Sequence, residues 1–235
     1  MLSDAIVLPG ADTELFADTT AVADAVAERI LAAATTAIEH HGRFRLCLAG
    51  GTTPTAAYAR LKDAEADWAH WWIYHGDERC SPARDGERNS SAAGEAWLDH
   101  VPVPRLQIHA IPVELGAEIG AAAYELIVWT ALPFDLVLLG MGEDGHTASL
   151  FPGREIPEDR LVMPVFDAPK PPPDRVSLTL QALANSQQVL ILVTGDGKAE
   201  AVKRWRQGED LPIARVARAA RARSRVLMDR AAAAV

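Results

Sequence analysis

The stretch Phe44-Arg-Leu-Cys-Leu-Ala-Gly-Gly-Thr-Thr-Pro54 decides the fold class. Residues 44–49 are an apolar run broken only by Arg45, and a glycine pair ends it. A short run of this kind reads as a strand buried on both faces. Thr53 then reads as a helix cap, with Pro54 at the first helical position and the helix running to about Lys62.

The same alternation extends in both directions. Residues 15–41 are alanine-rich and carry Val22, Val26, Ile30, Ala33, Ala34 and Ala37 at helical spacing, with a stop near Gly42. Further strands are expected at residues 71–75, 107–111, 134–139, 160–166, 175–180, 188–193 and 224–228. Helices are expected at 89–98, 116–130 and 198–205, and a short one starting near His146. A stiff Lys170-Pro-Pro-Pro173 loop separates two of the strands. No repeat is visible at solenoid periods. The pattern predicts an α/β fold in one domain, residues 1–235: a Rossmann-like, mostly parallel sheet with helices on both faces. Right-handed crossovers bring the loops after the strands to one side, where such sheets bind ligands. Loops 50–53, 76–79, 140–146 and 195–198 are therefore expected to converge.

The bulk numbers limit what the convergent site can serve. The chain has 235 residues, 49% hydrophobic and 23% charged, with a formal net charge of -9. That balance supports a folded core. The charge argues against nucleic acid or an anionic membrane as the main partner, and leaves an anionic small substrate open, because a pocket sets its own local field. Arg215, Arg218 and Arg221, followed by Arg223 and Arg225, read as a solvated helix face. Residues 1–15, with Asp4, Asp12 and Glu14 and no basic cluster, do not resemble a signal peptide. No apolar run has the length of a membrane span. Cys47 and Cys80 lack metal-ligand spacing and read as free thiols in a reducing cytoplasm.

Each loop has a chemical reading and a plainer one. Gly50 and Gly51 allow close approach of backbone to an anion, and Thr52 and Thr53 add hydroxyls at a helix start; the plainer reading is a tight turn. In Gly76-Asp77-Glu78-Arg79, Arg79 is a fork-shaped cation suited to phosphate, carboxylate or a developing oxyanion, unless it merely pairs with its acidic neighbours. The segment Gly140-Met-Gly-Glu-Asp-Gly-His146 is the most informative. His146 suits a general base, and Asp144 or Glu143 is close enough in sequence to orient its ring. Lys198, opening the helix after Gly195-Asp-Gly, is a point charge for phosphate or a solvated first-turn lysine. Lys170 and Arg175 flank the proline loop and can close over an anionic substrate. Ser149 lacks the G-x-S-x-G elbow of a nucleophile. His40, His41, His70, His75, His100 and His109 read as structural or surface residues.

Together these loops resemble the 6-phosphogluconolactonase family. The stretches are Leu48-Ala-Gly-Gly-Thr-Thr-Pro54, Gly76-Asp-Glu-Arg79, Glu87-Arg-Asn89, residues 134–153, residues 170–180 and Val193-Thr-Gly-Asp-Gly-Lys-Ala199, in the family's order. The resemblance implies the fold of the glucosamine-6-phosphate deaminase and ribose-5-phosphate isomerase type, without a nucleotide. It implies hydrolysis of 6-phosphoglucono-1,5-lactone to 6-phosphogluconate in the pentose phosphate pathway, with no metal or other cofactor. By position, His146 would activate water with support from Asp144, and Arg79 would stabilise charge near the lactone or the phosphate. Gly50, Gly51, Thr52, Thr53, Asp77, Arg175 and Lys198 would contact the sugar phosphate. Cys80-Ser81-Pro82 departs from the hydrophobic-Val-Pro common in the family, and Gly76 stands where alanine is frequent. A deaminase-isomerase of the sibling type would carry Asp-Glu-Tyr in place of Asp77-Glu78-Arg79, and Asn-Glu-Pro-Gly in place of Leu150-Phe-Pro-Gly153. A non-catalytic sugar-phosphate binder would not need His146 and Asp144. A nucleotide-dependent enzyme does not fit the glycine spacing.

Overall fold

A computed structural model describes residues 6–82 and 88–234. Glu87 of the Glu87-Arg-Asn89 stretch and Asp4 of the N-terminal segment lie outside the described residues.

The strand at the centre is β2 (Phe44–Leu48). Its alternate side chains Phe44, Leu46 and Leu48 enter one apolar cluster, and Cys47 enters the other. That two-sided burial is why the run is continuously apolar. The same holds for β6 (Phe134–Gly140) and β9 (Ser186–Val193). These three join β1 (Asp12–Phe16), β3 (Trp71–His75), β5 (Ile108–His109) and β10 (Ser224–Asp229) in a seven-stranded parallel sheet ordered β1-β10-β9-β6-β2-β3-β5. One face is covered by α1 (Thr19–His41), α2 (Thr52–Leu61) and the turn of π-helix that continues α3 (Asn89–Ala93) to Leu98. The other is covered by α4 (Ala117–Ala131), α5 (Leu180–Ala184), α6 (Ala199–Arg206), α7 (Pro212–Ala220) and α8 (Arg230–Ala233). A small antiparallel sheet, β4 (Asp77–Arg79), β8 (Arg175–Leu178) and β7 (Val162–Val165), packs on this second side against α4.

The α/β architecture is as expected, with local corrections. The helix expected at 15–41 begins at Thr19, because Asp18 caps it by accepting the Ala21 N–H at 2.9 Å. The residues before it form β1 along β10. α2 begins at Thr52 with Gly51 as its cap, so Thr53 is not the cap and Pro54 is the third residue of the first turn. The proline is harmless there, since the first N–H groups of a helix have no intrahelical acceptor. No helix starts at His146. Thr147 and Leu150 close a tight turn instead, with Ala148 at φ 49°. Residues 77–79, read as loop, are strand β4. Asp135 interrupts the apolar β6 because its carboxylate accepts the Arg45 N–H at 2.8 Å and meets His41 Nε2 at 2.9 Å.

Of the basic stretch, Arg218 pairs with Asp210, Arg225 reaches Glu14, and Arg223 donates to the Ser186 carbonyl at 2.7 Å. Cys47 and Cys80 are free thiols, and burial pushes both up from the ordinary thiol range. Among the described residues, no helix is long and apolar enough to cross a membrane.

Candidate active site

The strand order reverses between β2 and β6: the chain runs outward from β2 through β3 and β5, then returns to its other side. In open α/β sheets the crevice at such a switch point binds ligands. The loops after β2, β3, β6 and β9 line one cleft of about 370 Å³ here, the size of a small-molecule site. All four expected loops therefore meet, and Lys170 and Arg175 join them.

The β2 loop is held from both ends. Tyr58 on α2 donates to the Ala49 carbonyl at 2.8 Å and accepts its N–H at 3.0 Å. Gly51 turns the chain at φ 105°, a conformation that disfavours any side chain. The first-turn amides of α2, uncapped by a side chain, border the cleft and favour an anion. Thr53 Oγ1 meets Thr194 Oγ1 at 2.6 Å, tying this loop to the end of β9. Gly50 is needed for packing: a Cβ there would lie 1.9 Å from the Asn89 amide oxygen.

Asn89 was absent from the residues singled out as substrate contacts, although the Glu87-Arg-Asn89 stretch carried it. It lines the cleft, and its Nδ2 donates to both the Asp77 carbonyl and Asp77 Oδ1 at 3.0 Å. The acidic pair splits into two jobs. Glu78 is buried and accepts the N–H groups of Arg79, Asn89 and Ser90 at 2.7–2.9 Å, which anchors the start of α3. Asp77 faces the cleft and accepts the Ser149 hydroxyl at 2.7 Å. This gives Ser149 a structural partner.

Burial pushes the Asp77 carboxyl above the ordinary carboxylate range; Glu78 adds to this, while Ser149, Arg175 and Arg79 oppose it. A folded-state value above the unfolded one, about 3.9, means that the stabilising contribution is full below the unfolded value and is lost as pH rises through the folded value. Asp77→Asn removes that loss. The melting temperature of the variant relative to wild type should therefore climb between pH 4 and pH 8, by about 2–4 °C for each kcal/mol. A difference that stays flat across this range would contradict the assignment.

His146 lies at the cleft with Nδ1 2.5 Å from Asp144 Oδ1, and the same oxygen accepts the His146 N–H at 3.1 Å. Burial alone would raise the Asp144 carboxyl, but the His146 amide and imidazole outweigh it and hold the group below its ordinary range. Between the two expected partners, Asp144 and Glu143, Asp144 takes the ring. Gly142 provides the room: a Cβ there would sit 2.0 Å from His146 Nδ1 and 2.7 Å from Asp144 Oδ1. Gly145 at φ 86° and the Thr147 hydroxyl on the Gly140 carbonyl, 2.9 Å, complete the turn. The imidazole rests against Phe151, with ring centroids 4.9 Å apart.

Among the described residues, Arg79, Lys170, Arg175 and Lys198 border the cleft. Arg79 lies on β4 opposite Arg175 on β8. Arg175 is buried and donates through Nε and Nη2 to the Pro172, Lys170 and Pro171 carbonyls, so it holds the proline loop over the site. Burial lowers its affinity for the proton. Lys198 closes a turn of 3-10 helix before α6, and burial likewise lowers its pKa, against the pull of Glu143. Lys170 Nζ stands 3.6 Å from Glu143 Oε2. Among the described residues no three or more His, Cys, Asp or Glu side chains are grouped as a metal site.

A family profile described as glucosamine-6-phosphate isomerases/6-phosphogluconolactonase matches residues 17–226. The chain belongs to this family. Among curated members, the 6-phosphogluconolactonase of Mycobacterium tuberculosis is 37% identical, over 94% of this chain and 96% of that protein. The human GDH/6PGL endoplasmic bifunctional protein is 38% identical over 74% of this chain, which matches 24% of that longer protein. Among solved structures, 6-phosphogluconolactonase from Thermotoga maritima superposes with a TM-score of 0.84 at 29% identity, covering 92% of this chain and 98% of that one. A monomeric glucosamine-6-phosphate deaminase shares the fold, with a TM-score of 0.79 at 22% identity over 94% of this chain and 98% of that one.

Proposed function

We propose that this protein is a cytoplasmic 6-phosphogluconolactonase, hydrolysing 6-phosphoglucono-1,5-lactone to 6-phosphogluconate for the oxidative pentose phosphate pathway. The reading rests on the His146–Asp144 pair, 2.5 Å apart, in a cleft that also carries a helix N-terminus and several cations. An ionised Asp144 keeps the proton on Nδ1 and leaves Nε2 as the acceptor. His146 takes a proton from water as its oxygen bonds to C1 of the lactone. The tetrahedral intermediate then collapses, the bond from C1 to the ring oxygen breaks, and that oxygen receives the proton back from His146. No covalent enzyme intermediate is needed, because a lactone is already an activated ester. Arg79 stabilises the negative charge that develops at the carbonyl oxygen. Gly50, Gly51, Thr52, Thr53 and Lys198 hold the remote phosphate, Asp77 a sugar hydroxyl. Arg175 keeps the proline loop closed over the substrate. Binding the remote phosphate orients the ring for attack.

The test is the decay of freshly generated lactone near neutral pH, with and without protein, followed by the same assay on Lys198→Ala. Wild type should accelerate decay far above the spontaneous rate; decay at the spontaneous rate would end the lactonase reading. The variant should lose about 10–100-fold in kcat/KM for the phosphorylated lactone, the worth of a charge-assisted hydrogen bond, with little change for plain gluconolactone. Equal losses on both substrates would move Lys198 from the phosphate to the reacting centre.

A further inference from the structure

Three loops of the cleft meet at one carboxylate. Glu143, on the loop after β6, stands through Oε2 3.6 Å from Lys170 Nζ on the proline loop. The rest of its side chain lies along the backbone of Gly197, in the loop after β9: a Cβ on that glycine would be 3.4 Å from Glu143 Oε1, 3.7 Å from Cγ and 3.9 Å from Cδ. The next residue, Lys198, feels the charge. Glu143 strengthens its hold on the proton, while Lys170 weakens it. Both lysines line the cleft, and Glu143 is exposed beside them. An exposed ion pair of this kind adds little to stability. Its consequence lies in what else approaches the two lysines.

We propose that Glu143 is a specificity-determining residue of the cleft: its negative charge competes with the substrate phosphate for Lys170 and Lys198, and it disfavours the product more than the substrate. The inference rests on the lactonase reading. Hydrolysis adds water across the bond from C1 to the ring oxygen, and near neutral pH the new carboxylic acid gives up its proton to solvent. The product then carries a phosphate and a carboxylate, one negative charge more than the lactone. Cations that draw in the substrate would hold such a product more tightly still, and turnover would wait on its release. A like charge beside those cations weighs most against the anion with the extra charge, and the low-dielectric walls of a cleft strengthen the effect. Two other acids near the reacting centre are already engaged. Asp144 is held by the ring and amide of His146, and Asp77 by Asn89 and Ser149. Glu143 pairs only with the lysine that the phosphate would approach.

The experiment is initial-rate lactone decay, with the spontaneous rate subtracted, in rising concentrations of 6-phosphogluconate, for wild type and Glu143→Gln. Glutamine keeps the shape of the side chain and removes its charge. At low salt the variant should be inhibited by product at about 3–10-fold lower concentration, the worth of one charge near a protein surface. KM for the phosphorylated lactone should fall by a smaller factor, and KM for plain gluconolactone, which is uncharged, should stay where it is. The gap between the two proteins should close as the Debye length shrinks from about 30 Å in 0.01 M salt to about 3 Å in 1 M salt. Glu143→Ala should behave in the same way and serves if the glutamine variant folds poorly. Inhibition constants that both variants leave unchanged at low salt overturn the proposal. So does weaker product binding, which would make Glu143 the residue that holds Lys170 in place for the phosphate, and so does a gain that salt does not reduce. A wild type that leaves lactone decay at its spontaneous rate removes the lactonase reading and this proposal with it, whereas a fast wild type with an indifferent variant removes the proposal alone.

Discussion

His146→Ala should lower the catalysed hydrolysis of 6-phosphoglucono-1,5-lactone by about 10²–10⁴-fold, the usual worth of a positioned general base, with KM changed little. The split between kcat and KM follows from geometry. The imidazole sits against Asp144 and Phe151 on the β6 loop, while the α2 N-terminus and Lys198, the groups proposed to hold the phosphate, lie on other loops of the cleft. Removing the ring removes an interaction made in the transition state and leaves the anchors in place. Because the lactone also opens spontaneously, the measurement is initial decay with the no-protein rate subtracted, on a variant whose melting temperature matches wild type. Retention of full turnover would keep the lactonase and take the base away from His146. Asp144→Asn should follow in the same direction with a smaller loss, since a neutral amide orients the ring without stabilising the imidazolium.

The architecture was legible because its signals are local. Phe44, Leu46 and Cys47 are apolar in sequence for the same reason that they are buried in space: β2 has a helix layer on each side. Four strand-to-loop junctions carrying glycine and charge were enough to place the cleft, because right-handed crossovers leave those junctions only one edge of the sheet. What sequence could not separate was the work of neighbouring acids. Asp77 and Glu78 are adjacent in a strand, so alternation alone sends them to opposite sides. One faces the cleft, and the other anchors α3 through three amides. Which way each points depends on the pairing of β4 with β8, nearly a hundred residues away. Arg175 has a second task that its sequence position does not show. It is expected to contact the substrate and lines the cleft, and its three hydrogen bonds to loop carbonyls also hold the loop that bears Lys170. A short helix is expected to start near His146, where Thr147, Ala148 and Ser149 form a tight turn instead. Their local preference yields to the Ser149 N–H bond to Ser177 Oγ at 3.1 Å and the Ser149 hydroxyl bond to Asp77.

Glycines were legible as special, and the structure separates the reasons. Gly51 and Gly145 are required by positive φ, Gly50 by the amide of Asn89, and Gly142 by the imidazole itself. The last case yields the second large effect. Gly142→Ala should reduce kcat by about 10²-fold or more, approaching the His146→Ala value, with the fold retained. Its φ lies outside the positive range that would make alanine intrinsically costly. Its amide can still donate to the His146 carbonyl, 2.8 Å away. The added methyl would instead stand 2.0 Å from Nδ1, 2.1 Å from Cε1 and 2.7 Å from the Asp144 oxygen, inside van der Waals contact with both members of the pair. Neither can stay: the ring must swing away from the β6 loop or lose its carboxylate. A displacement on the order of 1 Å at a reacting group is enough to cost about 10²-fold in rate. Measured side by side, Gly142→Ala and His146→Ala should not add, because the first already removes most of what the second deletes; the double variant should decay the lactone at the rate of His146→Ala alone. A Gly142→Ala protein with wild-type turnover and unchanged melting would show that the ring does not occupy this position during catalysis, and the argument for Asp144 as its orienting partner would go with it.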